Sequence, residues 1–513
     1  MSGSSPPTWG PPPAADRVRH RPYRAAYVVG VLGAAVLVLA LIVPPTLGWL
    51  VLRGAADLAG RPTTTTRPAD ADAGVGDPYF PAYGSGGYDA QSYAISIDWD
   101  AGDASLRGRT TITAVAQHDL TAIFVDLALD VSGATVDGAP ATVARTGVQD
   151  VRITPPTMIS SGSRFAVVID YAGRPAAQNR DGVAPYAAES HEWVIAGEPE
   201  SSAWWFPADD YPADPATFDL SVRVPAGTEA VSVGRLVSRD TGTESGFDTW
   251  HWVLDQPVAT YLVFLAIGQY ELQQGTAGGR PYVYAVSSRL SREARTSAFA
   301  QLQRTPVIIA EQEKRFGPYP FAEIGGVVPA VNLPFAGLEA QTRPVYDAES
   351  ITDERFATEL LVHELAHQWF GDHVTLSQWN DIFTNEAYAS WAAWAYTEDQ
   401  GGASAQERLL RTYDRTVGRA DFWAVTMIDP GADHLFDTVY VRGPMALQAL
   451  RNVIGDAAFA HLNREWAQHP GARSLEQWMV KAQSVTTTDL SPFFAAWIYS
   501  PQAPAKTAVN GLA

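Results

Sequence analysis

The pattern of apolar and polar residues divides the chain into two parts. Between residues 88 and 275, apolar side chains alternate with polar ones in many short runs. The clearest runs are Tyr93 to Trp99, Phe165 to Tyr171 and Phe218 to Val224. Such alternation is typical of strands that bury one face, and turn pairs such as Asp137-Gly138 and Ser161-Gly162 separate the runs. We therefore predict an antiparallel β domain for residues 88–275.

From residue 276 onward, apolar side chains recur at the spacing of helices. The clearest segments are Ser291 to Arg315, Asp353 to Phe370 and Asp381 to Tyr396. In the second of these, Asp353 is a suitable N-cap, and Gly371 stands where a C-cap glycine is expected. We predict a mostly helical domain for residues 276–505 and a short tail for residues 506–513, which makes the fold class α+β.

The N-terminal residues predict attachment to a membrane. Residues 25–52 contain no charged side chain and are long enough to cross a bilayer. Four arginines lie in residues 1–24, so the positive-inside rule places that end in the cytoplasm and the rest of the chain outside the cell. Residues 53–87 are rich in Pro, Thr and Gly and are expected to form an extracellular linker. A cleaved signal peptide is the alternative interpretation of residues 25–52.

Composition limits which functions and which metal ligands are possible. The chain has 513 residues, with 56 Asp and Glu against 36 Lys and Arg, and a formal net charge of -20. Because nucleic-acid binding requires a basic surface, we exclude that class of function. The chain has no cysteine. A metal must therefore be held by His, Asp or Glu, and disulfides and cysteine nucleophiles are excluded.

The strongest chemical signal is the stretch VHELAHQWFGD, residues 362–372. On a helix, His363 and His367 project from one face and can bind one metal ion. Glu386 follows His367 after eighteen intervening residues and can supply a third ligand. Three protein ligands leave one position for water, as in catalytic zinc sites, and Glu364 is placed to act on that water as general base. Two helical histidines without a metal are the alternative interpretation.

These residues resemble the gluzincin aminopeptidases, the group of aminopeptidase N and leukotriene hydrolase, whose motif is HExxH followed after eighteen residues by Glu. Three further stretches resemble family motifs: GYDAQSYAISID at 87–98, WFPADDYP at 205–212 and FGPYPF at 316–321. The resemblance covers residues 88–501. It implies an N-terminal β saddle followed by a thermolysin-like catalytic domain. It also implies zinc ligands at His363, His367 and Glu386, with Glu364 as general base and then acid.

The resemblance further implies residues that contact the substrate. Glu339 aligns with the glutamate of the family motif GAMEN, here AGLEA, and would hold the free α-amine of a peptide. Glu198 aligns with a family Gln or Glu that touches the same amine, and the spacing favours it over Glu200. Tyr440 matches the family tyrosine that donates to the developing oxyanion, although Arg442 replaces the lysine that usually follows.

Larger family members have a C-terminal helical domain with no counterpart in this sequence. We therefore expect a more open cleft, unless a partner or a second copy of the chain covers it as a homo-oligomer. The sequence predicts a zinc aminopeptidase, anchored in the cell membrane and facing outward, that hydrolyses N-terminal residues from peptides by zinc-activated water. Two alternatives stay open: a zinc endopeptidase with an open cleft, and a catalytically inactive surface binding module with the same fold.

Overall fold

The computed structural model describes residues 72–178, 185–242 and 246–513. The predicted cytoplasmic segment 1–24, the predicted membrane anchor 25–52 and residues 53–71 of the predicted linker lie outside these ranges. Within the described ranges, no helix is both long and apolar enough to cross a bilayer.

The first part of the described chain folds into strands, as the alternation predicts. In chain order they are β1 (Tyr88–Asp100), β2 (Ser105–Ala116), β3 (Ile123–Asp126), β4 (Asp130–Val136), β5 (Ala139–Arg145), β6 (Asp150–Thr154), β7 (Arg164–Gly173), β8 (Tyr186–Glu189), β9 (Glu192–Ile195), β10 (Ala216–Pro225), β11 (Glu229–Val231), β12 (Arg235–Gly242), β13 (Phe247–Val258) and β14 (Leu265–Gly268). In the described residues they form a ten-stranded sheet, β12-β13-β10-β1-β2-β7-β4-β5-β6-β3, and a four-stranded sheet, β11-β14-β9-β8. The predicted β domain is confirmed.

Burial of one face explains why β1 forms. Tyr93, Ile95, Ile97 and Trp99 are each at most 2% exposed, whereas the residues between them are exposed. β1 pairs antiparallel with β2 but parallel with β10. The prediction of a wholly antiparallel domain is therefore wrong at this pair, because the long connection after β7 brings β10 back in the direction of β1.

The second part combines a small sheet with helices. Its strands are β15 (Tyr270–Ala277), β16 (Arg280–Ser287), β17 (Ile324–Val328), β18 (Gly337–Leu338) and β19 (Val345–Tyr346), in the order β15-β16-β17-β19-β18. Its helices are α1 (Arg292–Leu302), α2 (Thr305–Phe316), α3 (Ala348–Thr352), α4 (Ala357–His367), α5 (Phe383–Asp399), α6 (Ala405–Thr416), α7 (Ala420–Ala424), α8 (Val439–Ile454), α9 (Asp456–Ala467), α10 (Leu475–Ser484) and α11 (Ser491–Phe494). Among the described strands, β18 pairs only with β19, so it is an edge strand.

Two predicted helices have different bounds in the structure. The segment from Ser291 to Arg315 is split into α1 and α2. Pro306 lies in the first turn of α2, where its missing N–H is tolerated, whereas in one continuous helix it could not donate to the Leu302 carbonyl. The third predicted segment begins at Phe383 and continues to Asp399.

The helix that carries the two histidines, α4, begins at Ala357, so the prediction that Asp353 caps it is wrong. The Asp353 carboxylate instead accepts from the backbone N–H of Arg355 at 3.0 Å and pairs with the guanidinium of that residue. This local turn competes with helix formation. α4 ends at His367, before the predicted C-cap Gly371.

Residues 72–87, the part of the predicted linker that the structure describes, contact both parts of the chain. The Asp77 carboxylate accepts from the Tyr211 hydroxyl at 2.6 Å and from the backbone N–H of Trp379 at 3.0 Å. The Tyr79 hydroxyl accepts from the backbone N–H of Gly431 at 3.0 Å. Trp379 lies just before α5 and Gly431 lies before α8. The segment is therefore tied to the turns that lead into both helices.

Arg343 joins the two parts from inside. Its side chain is 1% exposed and donates to the carbonyls of Ser232, Gly234 and Val283, the last two at 2.9 Å and 3.3 Å. Ser232 and Gly234 follow β11, whereas Val283 lies in β16. Burial lowers the pKa of Arg343 to about 9. The buried guanidinium therefore connects backbone carbonyls of the β domain with a backbone carbonyl of the second part.

We expect Arg343→Met to lower the free energy of unfolding by about 2 kcal/mol or more, because each buried carbonyl left without a donor costs roughly 1–3 kcal/mol. Urea unfolding followed by tryptophan fluorescence measures the change. Arg109→Lys is the control, since Arg109 and its partner Asp170 are 63% and 42% exposed and exposed pairs contribute roughly 0–1 kcal/mol. An Arg343→Met variant as stable as wild type would contradict a stabilising role for these hydrogen bonds.

Candidate active site

The three predicted zinc ligands meet between α4 and α5. α4 is buried from Leu360 to His367 and carries His363 and His367 one turn apart. Glu386 lies in the first turn of α5. His363 Nε2 lies 3.1 Å from His367 Nε2, and Glu386 Oε2 lies 3.2 Å and 3.4 Å from these two nitrogens. The two helices thus bring three donor atoms together in a buried place.

The donor set fits a zinc ion. Zinc bonds of about 2.0–2.2 Å at tetrahedral angles separate neighbouring donor atoms by about 3.3–3.6 Å, close to the observed spacings. His367 Nδ1 donates to the Phe370 carbonyl at 2.9 Å, which leaves the Nε2 lone pair for a metal. Glu386 Oε2 is buried and has no hydrogen-bond partner among the described residues, a condition that a bound cation relieves.

His363, His367 and Glu386 shift one another's pKa values. Burial raises the pKa of Glu386. The charge of His367 and the hydrogen bonds from His363 and His367 lower it by more and bring the pKa to about 2. Burial lowers the pKa of His367, whereas Glu386 and Glu339 raise it well above the usual value. Burial lowers the pKa of His363. Glu386 is therefore a carboxylate that keeps its negative charge inside the protein.

Glu364 lies beside the ligands. An oxygen of Glu364, an oxygen of Glu339 and a nitrogen of His367 lie within 4.8 Å of one another. Gly337 in β18 permits this approach, because a Cβ at that position would overlap the Glu364 carboxylate. Burial raises the pKa of Glu364 well above its usual value. The side chain therefore faces the edge strand and the metal donors together.

Tyr440 reaches the same pocket from the first turn of α8. Its hydroxyl donates to Glu386 Oε1 at 3.2 Å, and its ring centroid lies 5.9 Å from that of His363. A close crossing of α8 and α5 makes this possible. A Cβ on Gly443 would lie 2.6 Å from the Cβ of Ala387, so only small residues fit at this crossing.

Glu339 follows β18 and is fixed by residues around the histidine helix. Gln368 Nε2 donates to the Glu339 carbonyl at 2.8 Å, and Gln368 Oε1 accepts from the backbone N–H of Thr342 at 2.8 Å. The Tyr261 hydroxyl donates to Glu339 Oε1 at 3.3 Å. Burial raises the pKa of Glu339, and the charge of His367 opposes it. Glu339 is therefore a rigidly held carboxyl group at the end of an edge strand.

Glu198 faces this pocket, whereas Glu200 does not. Burial raises the pKa of Glu198 well above its usual value, and the nearby carboxylates of Glu339 and Glu386 add to the rise. Glu198 Oε1 is buried and has no hydrogen-bond partner among the described residues. Glu200 instead accepts from the Tyr83 hydroxyl at 2.6 Å. The structure thus places Glu198 near Glu339 and Glu386, whereas Glu200 bonds to Tyr83.

Four glutamates therefore converge on one buried pocket: Glu198, Glu339, Glu364 and Glu386. Their carboxyl groups repel one another when ionised, and burial strengthens the repulsion. A pocket of this kind attracts cations. A divalent metal is a cation that fits the donor atoms of His363, His367 and Glu386.

Three residues that shape the pocket were not predicted from the sequence: Gln368, Tyr261 and Asp372. Gln368 and Tyr261 act on Glu339 across 29 and 78 positions of the chain, so no local pattern marks them. Asp372 is 2% exposed, and neither carboxylate oxygen has a hydrogen-bond partner among the described residues. Burial and the charge of Glu339 raise its pKa well above the usual value. A charged residue inside the apolar stretch after His367 was its only signal.

Comparison with protein families gives two matches. The peptidase M1 N-terminal domain matches residues 89–262, and the peptidase family M1 domain matches residues 338–497. The first range lies within the β domain. The second contains the three zinc ligands together with Glu339, Glu364 and Tyr440. The two matches together account for more than half of the chain.

Individual relatives agree with these matches. The chain is 28% identical over 320 residues to aminopeptidase N of Acetobacter pasteurianus, covering 58% of this chain and 88% of that protein. It is 26% identical over 264 residues to aminopeptidase B of Mus musculus, covering 49% of this chain but only 39% of that longer protein. A solved structure of an M1 zinc metallopeptidase variant from Deinococcus radiodurans, bound to a Tyr-Ser-Ala substrate, is 26% identical. It superposes with a TM-score of 0.73 and covers 84% of this chain and 98% of that one.

We expect the purified protein to hold one zinc ion per chain, and His367→Ala to lose it because one of three protein ligands is removed. Mass spectrometry of the metal content measures the loss. Glu364→Gln is the matched control from the same helix: it should keep zinc and yet lose activity by about 10²–10⁴-fold. A chelator should lower the Tm of wild type but not of His367→Ala. Full zinc content in His367→Ala would contradict the ligand set.

Proposed function

Because the chain belongs to peptidase family M1, as its motifs predicted, we propose that it is a zinc aminopeptidase that removes N-terminal residues from peptides. Its zinc metallopeptidase class follows from the family, and the proposal concerns the bond that it cuts. Relatives named as aminopeptidases support the choice. The structural relative that holds a Tyr-Ser-Ala substrate supports a short peptide as ligand.

Each residue of the pocket has a role in the proposed reaction. His363, His367 and Glu386 would hold zinc, which when bound lowers the pKa of coordinated water to near 7 and polarises the peptide carbonyl. Glu364 takes the proton of the attacking water and passes it to the leaving amine. The Tyr440 hydroxyl donates to the carbonyl oxygen as negative charge develops on it.

The observation that carries the proposal is the pair of buried carboxyl groups on Glu339 and Glu198, beside the metal donors. An α-ammonium is the part of a peptide that such a pair would bind, and it would hold the first peptide bond at the metal. Among the described strands β18 pairs on one side only, and its other edge leads to Glu339 and can pair with an extended peptide backbone. This arrangement favours cleavage after the first residue.

We expect free-amine fluorogenic peptides to be cleaved and their N-acetylated counterparts to resist cleavage, because acetylation removes the charge that Glu339 and Glu198 would bind. Glu339→Gln should lower kcat/KM for free-amine peptides by about 10–10²-fold, the range for losing a hydrogen bond to a charged group. Glu200→Gln is the matched control, since Glu200 is also buried but faces Tyr83. It should leave the ratio of the two peptide types unchanged.

An open-cleft endopeptidase is the second outcome of this experiment. In that case acetylated and free peptides would be cut at equal rates, and a digest of longer peptides would yield internal fragments. The amine contacts would then be wrong, whereas zinc binding and the role of Glu364 would stand.

We also propose that residues 25–52 anchor the enzyme in the cell membrane with the peptidase outside. The run of uncharged residues and the arginines of residues 1–24 support this topology. The substrates would then be extracytoplasmic peptides.

Expression of the complete chain tests this topology. The peptidase should stay in carbonate-washed membranes, and protease added to intact cells should remove it, because residues 53–513 would be outside. A version that starts at residue 53 is the control and should be recovered without membranes. Release of a shortened chain, with a new N-terminus after residue 52, would instead favour the cleaved signal peptide.

A further inference from the structure

Arg442, in the helix that carries Tyr440, is buried and fully hydrogen-bonded. Its side chain is 0% exposed. Its guanidinium makes five hydrogen bonds of 2.7–3.1 Å to backbone carbonyls, those of Trp423, Val425, Trp497 and Ser500. Five bonds use every N–H that a guanidinium has. Arg442 therefore joins α8 to two distant segments, residues 423–425 and residues 497–500.

The first turn of α8 has little support of its own. Thr438 stands at the N-cap, but its hydroxyl makes no capping bond and has no partner among the described residues. Pro444 lies inside the helix and has no N–H to donate to the Tyr440 carbonyl. The turn that carries Tyr440 thus lacks two bonds that normally hold the start of a helix.

Contacts on two sides hold this turn instead. Gly443 meets Ala387 of α5, which sets how closely α8 approaches the metal ligands. Residues two apart on a helix point about 200° apart, so Arg442 binds the side of α8 that is turned away from Tyr440. The turn is therefore pressed against α5 on one side and fastened by the guanidinium on the other.

The segments that Arg442 binds are themselves fixed to each other. The backbone N–H groups of Met427 and Ile428 donate to the Ile498 carbonyl at 3.0 Å and 3.2 Å. Trp497 Nε1 donates to the Asn510 carbonyl at 3.0 Å. The carbonyls around the guanidinium therefore belong to one connected frame.

We propose that Arg442 is a positioning residue that fixes the Tyr440 hydroxyl at the metal ligands by fastening the first turn of α8 to this frame. The role rests on the proposed function, in which Tyr440 donates to the oxyanion. An arginine suits the task better than a lysine at this position, because a lysine offers three donors to four carbonyls. A displacement of a catalytic group by about 1 Å can lower a rate by about 10²-fold, so a loosened turn should reduce turnover.

A double-mutant cycle tests this role on the full chain. It compares kcat and KM for wild type, Tyr440→Phe, Arg442→Lys and the double variant, on a free-amine tripeptide. Rates are taken well below each Tm and are divided by bound zinc. Tyr440→Phe should lower kcat about 10²-fold. Arg442→Lys should lower kcat about tenfold with little change in KM, because the hydroxyl acts in the transition state.

The double variant decides the outcome. In the Tyr440→Phe background, Arg442→Lys should lower kcat by less than about twofold, because no hydroxyl is left to misplace. If Arg442→Lys lowers kcat by the same factor in both backgrounds, Arg442 only supports the fold and the proposal is overturned. Arg442→Gln gives the same cycle with fewer donors, should the lysine variant fail to fold.

Three comparisons separate this proposal from its premise and from a general effect on the fold. Arg145 also donates to backbone carbonyls, but in the β domain, so Arg145→Lys is the matched control and should leave kcat unchanged. A Tyr440→Phe variant with wild-type kcat would remove the premise and the role of Arg442 together. The acetylated peptides test only the amine contacts, so an endopeptidase outcome there leaves the cycle valid.

Discussion

Repulsion among four glutamates in one buried pocket is the constraint on which the rest of the site depends. Glu339, Glu364 and Glu386 are buried, the carboxyl group of Glu198 lies close enough to be affected by their charges, and the charge of His367 opposes the repulsion. Such a pocket is unstable without positive charge. The folded protein therefore favours a cation bound at His363, His367 and Glu386.

The architecture keeps these carboxyl groups in place against that repulsion. α4 and α5 are buried helices, so their side chains cannot turn toward solvent. The loop that contains Glu339 is held by Gln368 from the histidine helix, and four residues later Arg343 fastens it to the β domain. Glu339 and the helix that carries the two histidines are thus parts of one hydrogen-bonded network, which Arg343 connects to the β domain.

The sequence could predict the structural features that depend only on neighbouring residues. The alternation in β1 follows from one buried face, and His363 and His367 meet because a helix has 3.6 residues per turn. The start of α4 could not be predicted, because Asp353 satisfies its own turn instead of capping a helix.

Residues whose role depends on distant partners could not be predicted either. Arg343 and Ser232 lie 111 positions apart, and Arg442 reaches carbonyls up to 58 positions away. The spacing after His367 indicated Glu386, whereas Tyr440, Glu339 and Glu198 were singled out only by resemblance to a family. The structure adds the residues that hold these side chains in place, such as Gln368, Arg343 and Arg442. Their contacts depend on how this particular chain packs.

The bonds of Asp77 and Tyr79 have a mechanical consequence. Both residues precede β1, yet their partners Trp379 and Gly431 lie just upstream of Glu386 and Tyr440. A pulling force on the chain before residue 72 would therefore act both on residues 83–87, through the bonds of Asp72 and Val75, and on the backbone that leads into α5 and α8, through Asp77 and Tyr79. If residues 25–52 anchor the protein, a force on that anchor would therefore also act on the positions of Glu386 and Tyr440.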